Sequence, residues 1–165
     1  MAGGEALTVD TGELVALAER VGDAGQVLAG FEADLVNRVL FTGQAELVRT
    51  TPVDTGQLRQ SWTVLRADGG VRPVTGTVGT SNTYALAVDQ GREPGTWPPE
   101  GELLPWMRRH GIPEDREYLI RRKIFRVGTV AHRMSEQAVA RMEAALPGEC
   151  DRAAREMAAW IAGGR

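Results

Sequence analysis

Histidine and cysteine are the residues of this sequence best suited to ligate a metal or act as a nucleophile. His110 and His132 are the only histidines, and they do not stand in the H-x-x-x-H spacing that places two imidazoles on one helix face. Cys150 is the only cysteine, which excludes an internal disulfide and a multi-cysteine metal site and leaves it as an inert small residue. We therefore predict no metal site, no cofactor and no Cys/His nucleophile pair.

Two carboxylates lie in segments where an active site could form. Asp54 stands in a predicted turn and Asp89 at the end of a predicted strand, and a carboxylate pair can perform general acid and base catalysis. A hydrolase is thus one hypothesis. Aspartate is, however, favoured in turns for its own backbone hydrogen bonds, and no partnering base stands nearby in sequence. The pattern favours a protein that is not an enzyme.

Residues 76–80 (GTVGT) superficially resemble a phosphate-binding loop because they contain two glycines. They lack the G-x-x-x-x-G-K pattern and have no lysine nearby. Their alternation is that of a strand, so we predict glycines in an edge or twisted strand.

Charge is segregated along the chain. Residues 1–50 contain eight acidic and three basic residues, whereas residues 106–133 contain eight basic and three acidic ones. The densest cationic cluster comprises Arg121, Arg122, Lys123 and Arg126. It predicts a solvated helix face, a basic patch that meets an acidic patch on a neighbouring subunit, or contact with nucleic acid. Neither stacking aromatics nor a recognition motif accompanies it, so only contact with the phosphate backbone is expected.

The whole chain has the size and composition of one globular domain. It has 165 residues, of which 42% are hydrophobic and 25% charged, so we predict a single domain over residues 1–165 with residues 1–8 loosely ordered. No run of eighteen apolar residues and no signal-peptide pattern is present. We expect a protein that stays in the cytoplasm and makes no membrane contact.

Helical spacing dominates the N-terminal part. Residues 8–21 predict a short strand and then a helical turn capped by Asp10 or Thr11, and residues 26–50 predict the main helix. Glycine costs about 1 kcal/mol in a helix interior, so Gly30 and Gly43 predict close approach of another element. Pro52 ends the helix, and Thr55 is expected to cap a single turn that follows.

The remaining chain predicts strands and then further helices. Strands are expected at 62–66, 74–80 and 84–89, giving an antiparallel meander of three to four strands. Residues 91–99 predict a surface loop. Helices follow at 100–110, 113–127 and 135–162, the second with Tyr118, Leu119, Ile124 and Val127 inward, and the third capped by Ser135 and kinked or split at Pro147. The fold class is α+β, a small antiparallel sheet packed with long N-terminal and C-terminal helices.

Residues 51–61 closely resemble the P-V-x-T-G-x-L-R-x-S signature of the neck and tail-completion proteins of tailed bacteriophages, a family of minor tail and head–tail joining components. The residues that carry or adjoin this signature are Pro52, Val53, Asp54, Thr55, Gly56, Leu58, Arg59 and Ser61. A second family segment is matched by Tyr84, Ala85, Asp89 and Gly91. The segments 97–99, 104–106 and 120–129 are similar to parts of a longer branch of that family. Asp89 replaces the usual glutamate, and Gly91-Arg92 replaces the usual Gly-Thr.

The resemblance implies a structural protein of the virion without catalysis. It implies a homo-oligomeric ring, with six copies expected, that joins tail to head around the DNA passage and is assembled in the cytoplasm of a bacterial host. Implied partners are tail-tube, tail-terminator or head-closure proteins, with non-specific contact to passing DNA. We expect the 92–99 loop and the basic helix to face neighbours, through Arg92, Trp97, Arg121, Arg122, Lys123 and Arg126. The alternative hypothesis is a non-sequence-specific nucleic-acid-binding module that uses residues 106–133.

Overall fold

The computed structural model describes residues 12–69 and 73–163, with side chains from residue 24 onward. Two long helices, α1 (Gly12–Thr50) and α6 (Met134–Gly163), form its frame. Between them lie α2 (Gln57–Gln60), β1 (Thr63–Leu65), β2 (Thr77–Gly79), α3 (Ala85–Gln90), α4 (Leu104–Arg109) and α5 (Glu117–Val127), with a 3-10 turn at Glu114–Arg116 before α5. The strand and cap expected within residues 8–11 lie outside the described residues.

α1 and α6 pack against each other in antiparallel orientation. A Cβ on Gly43 would lie 2.5 Å from the Sδ atom of Met142, so the predicted close approach at Gly43 is confirmed. Further along the pair, Arg38 Nε donates to Glu149 Oε2 over 2.7 Å. The segment after β1 also approaches the helix backbone at Gly30: a Cβ on Gly69 would lie 3.1 Å from Gly30 N, although a Cβ on Gly30 itself would meet no atom within 4 Å. The tightest contact between the two helices that a glycine allows therefore lies at Gly43, with the ion pairs of Arg38 to Glu149 and Glu156 further along.

The sheet is smaller than predicted. β1 and β2 form an antiparallel pair with Val64 opposite Val78, and these are the two strands among the described residues. The predicted third strand is α3. Asn82 starts it, since its Oδ1 accepts from Tyr84 N–H (3.2 Å) and its carbonyl from Ala85 N–H (3.1 Å). Alanine and leucine then favour the helix, which overrides the apparent alternation of the segment.

The hydrophobic core lies where α1, α2, α3 and α6 meet. Its buried members are Leu47, Leu58, Trp62, Ala85, Met134 and Ala138, and three valines pack against them. Ala85 enters this core, whereas Leu86 is 64% exposed. The helix thus turns Ala85 inward and leaves Tyr84 and Leu86 exposed.

The C-terminal helices depart from their predicted faces and bounds. α4 begins at Leu104 rather than at residue 100. Tyr118, Leu119 and Val127 of α5 are exposed, while Ile124 is partly buried as predicted. The buried side of α5 differs from the predicted one because α5 packs on the loop before α4. Residue spacing within the helix cannot predict that contact.

α6 is one continuous helix, so of the predicted kink or split at Pro147 the split is wrong, and so is the predicted cap at Ser135. α6 contacts α1 on both sides of the proline, through Met142 and Glu149, and this packing offsets the backbone hydrogen bond that proline removes. Ser135 lies within the first turn of α6 and receives its cap from Asp89.

Candidate interaction surface

The stretch from Thr51 to Trp62 forms a fixed corner between α1 and the sheet. Gly56 occupies the cap position of α2 with φ 81° and ψ −5°, a left-handed conformation that glycine adopts without steric cost. Thr55 was expected at that position; its Oγ1 instead accepts a 3.4 Å hydrogen bond from Gln57 N–H. Ser61 Oγ lies 2.6 Å from Thr80 Oγ1 and so ties the corner to the end of β2. The hydrogen bonds of Thr55 and Ser61 thus stabilise the backbone conformation of the corner.

Asp54 forms an ion pair that the sequence did not reveal. Arg109, from α4, donates through both Nε and Nη2 to its carboxylate. The hydrogen bonds from Arg109 hold the pKa of Asp54 below its usual value. His110 Nδ1 lies 3.9 Å from the same carboxylate. The pair joins the corner to α4, a contact between residues 55 positions apart in sequence.

Asp89 likewise performs a structural role. Its Oδ1 accepts a 3.0 Å hydrogen bond from the backbone N–H of Ser135 in the first turn of α6, where an acceptor satisfies an otherwise unpaired helix donor. Each of the two carboxylates considered for catalysis therefore has its own structural partner.

Two glycines lie where the two ends of the segment between α3 and α6 meet. Gly91 (φ 73°, ψ −175°) and Gly128 (φ 76°, ψ −158°) occupy a backbone region that is essentially restricted to glycine. Their neighbours pair: Thr129 N–H donates to Arg92 O over 3.0 Å, and Arg92 N–H donates to Thr129 Oγ1 over 2.9 Å. The chain thus leaves and re-enters the frame at one point, and we call residues 92–128 the clasped module.

Inside the clasped module, the predicted surface loop is held against α5. The Trp97 ring stacks on Phe125 at 4.9 Å and on Tyr118 at 5.9 Å between centroids. Arg121 lies over the same ring at 5.6 Å, and its Nε donates to Pro98 O over 2.9 Å. Arg121 is therefore partly enclosed, with 18% of its side chain exposed, whereas the other three cations of its cluster, Arg122, Lys123 and Arg126, are exposed.

An open groove of about 550 Å³ separates the clasped module from the corner and α3. Its lining is mostly apolar, and its main members are Tyr84, Val88, Leu103, Trp106, Ile120, Ile124 and Val130. A second depression, of about 460 Å³ around Asp54 and Arg109, shares Tyr84, Val88 and Trp106 with it. We call this continuous surface the apolar groove. One signal in the sequence points to this groove: Ile120 and Ile124 flank three cations of α5 at the spacing of one helix face.

The described residues offer little for metal or membrane chemistry. Among them, no group of three or more histidine, cysteine or acidic side chains is placed to hold a metal ion. None of the helices within this described part is long and apolar enough to cross a membrane. Cys150 is exposed on α6.

Comparison with known proteins gives a match to a sequence family. Residues 16–91 match the sequence model of the family described as "Bacteriophage HK97-gp10, putative tail-component". The match contains both segments on which the resemblance rests, 51–61 and 84–91, and confirms that resemblance over these residues. No curated protein and no solved structure matches the chain. Because the match ends at Gly91, the clasped module lies outside it.

Proposed function

We propose that the chain is a structural component of a phage or phage-derived tail, and that copies of it form a neck or tail-completion ring joining tail to head around the DNA passage. The observation that carries this proposal is the family match over residues 16–91. The protein would act in the virion, after assembly in the cytoplasm of a bacterial host.

The function proposed is mechanical rather than catalytic. Asp54 pairs with Arg109, Asp89 caps α6, and the hydroxyl of Thr51 bonds Trp62, so these polar groups hold elements in place. A rigid frame of this kind suits a ring, because a ring subunit must present different surfaces at fixed angles to its neighbours.

The clasped module supplies the surface that we assign to neighbouring proteins. Its loop is ordered by the stacking of Trp97 on α5, which leaves Arg122, Lys123 and Arg126 on the outer side. Ordered aromatic and cationic side chains are favourable at protein interfaces because little conformational entropy is lost on contact. The partners proposed are further copies of the chain and the tail-tube, tail-terminator or head-closure proteins.

Mass measurement tests the ring. The protein is measured alone and with tail-tube protein or preformed tail ends, and we expect a closed assembly of six chains of 17.8 kDa each in at least one sample. A monomer in every sample would contradict the ring.

A charge reversal tests the assigned surface. The double variant Arg122→Glu, Lys123→Glu should reduce incorporation into particles, whereas the matched variant Arg155→Glu, on an exposed position of α6, should not. Arg121 is left unchanged because it holds the loop through Pro98. Full incorporation of the double variant would show that this face meets no neighbour.

The second candidate function is non-specific binding of nucleic acid. The exposed cations of α5 favour it, since three positive side chains on one helix could contact phosphates. It predicts duplex binding that weakens steeply with added salt. Absence of binding at about 50 mM salt, where such contacts are strong, would exclude it.

A further inference from the structure

The basic and acidic parts of the chain lie at opposite ends of the molecule. The clasped module is joined to the frame beside the end of α1, through Arg109 and Asp54 and through Thr129 near the start of α6. α1 runs from that end for 39 residues, and at 1.5 Å per residue its start is roughly 57 Å away. Residues 12–34 contain five acidic residues and one basic residue. Attraction over such a distance is screened out within one copy.

The start of α1 also extends beyond its helical partner. Gly43 lies against Met142, and the antiparallel α6 ends at Gly163, 21 residues further along. Since both helices rise equally per residue, roughly the first ten residues of α1 pass the end of α6. In this overhang Leu14, Leu17 and Val21 recur at the spacing of one helix face, with Glu13 and Glu19 between or beside them.

The apolar groove has the complementary properties. Trp106, Ile120 and Ile124 give it an apolar floor, and Val130 at its edge is 81% exposed. Its charged lining residues are Arg92 and Glu102, and the three exposed cations of α5, which outnumber that one carboxylate, lie on the adjoining module. An apolar groove with cationic surroundings suits an amphipathic acidic helix, which places its apolar side on the floor and its carboxylates at the rim.

We propose that the overhanging start of α1 from one copy lies in the apolar groove of the next copy. This inference rests on the proposed function, because it requires several copies in one assembly. Two different surfaces meet in such a contact, and repetition of a head-to-tail contact closes a ring when the rotation between copies allows it. The groove is formed by both parts of the chain: Tyr84, Ala87 and Val88 lie inside the family match, whereas Trp106, Ile120 and Ile124 lie in the clasped module outside it.

Disulfide trapping between two different variants tests the contact. The chain with Cys150→Ser is the background; one copy carries Leu17→Cys and the other carries Ala87→Cys, a partly buried position that lines the groove. Within one copy these positions cannot bond, because Leu17 is thirty residues, or roughly 45 Å of helix, before the core residue Leu47, against which α3 packs. Particles that contain both variants are oxidised mildly and their chains are separated without reductant.

We expect a disulfide-linked pair from Leu17→Cys with Ala87→Cys, and a much weaker one from Leu17→Cys with Arg155→Cys, the matched control on an exposed position of α6. Preference for the control position would overturn the groove in favour of α6. Particles that contain both chains but no disulfide would overturn the contact and leave the ring standing. Absence of the chains from particles would overturn the proposed function and the contact together.

Discussion

Trp62 donates a 2.8 Å hydrogen bond from its indole Nε1 to the hydroxyl of Thr51. The same hydroxyl donates over 2.5 Å to the carbonyl of Leu47 in the last turn of α1. Both side chains are buried, with 1% of Thr51 and 8% of Trp62 exposed. One hydroxyl therefore links the end of the long helix to the residue that precedes β1, and fixes the angle between helix and sheet.

Replacing Thr51 by valine should destabilise the fold by about 1–3 kcal/mol, because the buried indole N–H then has no acceptor while the side-chain shape is kept. Unfolding in urea measures the difference. Thr50→Val is the matched control: its hydroxyl donates to Glu46 O over 2.8 Å, and its loss should cost no more than about 0.5 kcal/mol. Equal stability of the two variants would show that the indole bond contributes nothing.

Gly56 should tolerate asparagine better than valine. The nearest atom to an added Cβ is Gln60 Nε2 at 3.6 Å, so there is space, and the penalty comes from the left-handed backbone. That conformation costs an ordinary residue roughly 1–2 kcal/mol, and asparagine less. Gly56→Val should therefore lower both unfolding free energy and incorporation into particles, with Gly56→Asn close to the wild type. A valine variant that assembles fully would contradict the role given to this turn.

The sequence correctly predicted those elements whose conformation is determined by a few neighbouring residues. The end of the long helix before Pro52, the turn at Gly56 and the pairing of β1 with β2 follow from proline geometry, glycine conformation and strand propensity, each acting over a few residues. The start of that helix was not predicted, because it runs unbroken from Gly12 rather than from residue 26. The sequence failed at residues 84–89, where alternation suggested a strand and the turn at Asn82 starts a helix. A six-residue segment with two alanines and one leucine is compatible with both, and packing of Ala85 into the core favours the helix.

The candidate surface was less predictable because its contacts are distant in sequence. Arg109 meets Asp54, and Arg121 meets Pro98, through the folding of the clasped module. Helical spacing alone predicted that Tyr118 and Leu119 face inward. In the structure Trp97 packs on Phe125, so a different side of α5 is covered and both residues remain exposed. Residue types were enough to predict the loop and the cations as interface candidates. The groove could not be predicted, because it forms between two segments whose relative position the sequence does not show.

The ion pair of Asp54 and Arg109 should make stability dependent on acid. Because the folded state holds the pKa of Asp54 below the unfolded value of about 3.9, the contribution is complete above about pH 5 and is lost as the pH falls through the folded pKa. The stability difference between wild type and Asp54→Asn should thus be present near pH 7 and small near pH 2. Asp151→Asn, on an exposed position of α6, is the control. A difference that stays constant with pH would exclude a charge-dependent contact.

Gly128 and Gly148 should respond oppositely to alanine. At Gly128 a Cβ would collide with the carbonyl oxygen of Arg92, and the backbone lies in a glycine-only region, so Gly128→Ala should cost at least about 1–3 kcal/mol. At Gly148, within α6, a Cβ would meet no atom within 4 Å, and alanine should stabilise the helix by up to about 1 kcal/mol. Urea unfolding and the rate of proteolysis within 92–128 measure both effects. Unchanged stability and proteolysis of Gly128→Ala would show that the pairing of Arg92 with Thr129 does not fix the ends of the clasped module.

Asp89 should be needed chiefly for the start of α6. Asp89→Ala removes the acceptor for Ser135 N–H, and loss of such a cap costs about 0.5–2 kcal/mol. Asp89→Asn keeps an oxygen at that place but not the charge that favours a helix N-terminus, so its stability should lie between those of Asp89→Ala and the wild type. Urea unfolding ranks the three proteins, and helix content by circular dichroism shows whether α6 is the part that loosens. If the asparagine variant were as unstable as the alanine variant, charge rather than the hydrogen bond would hold the start of α6 beside α3.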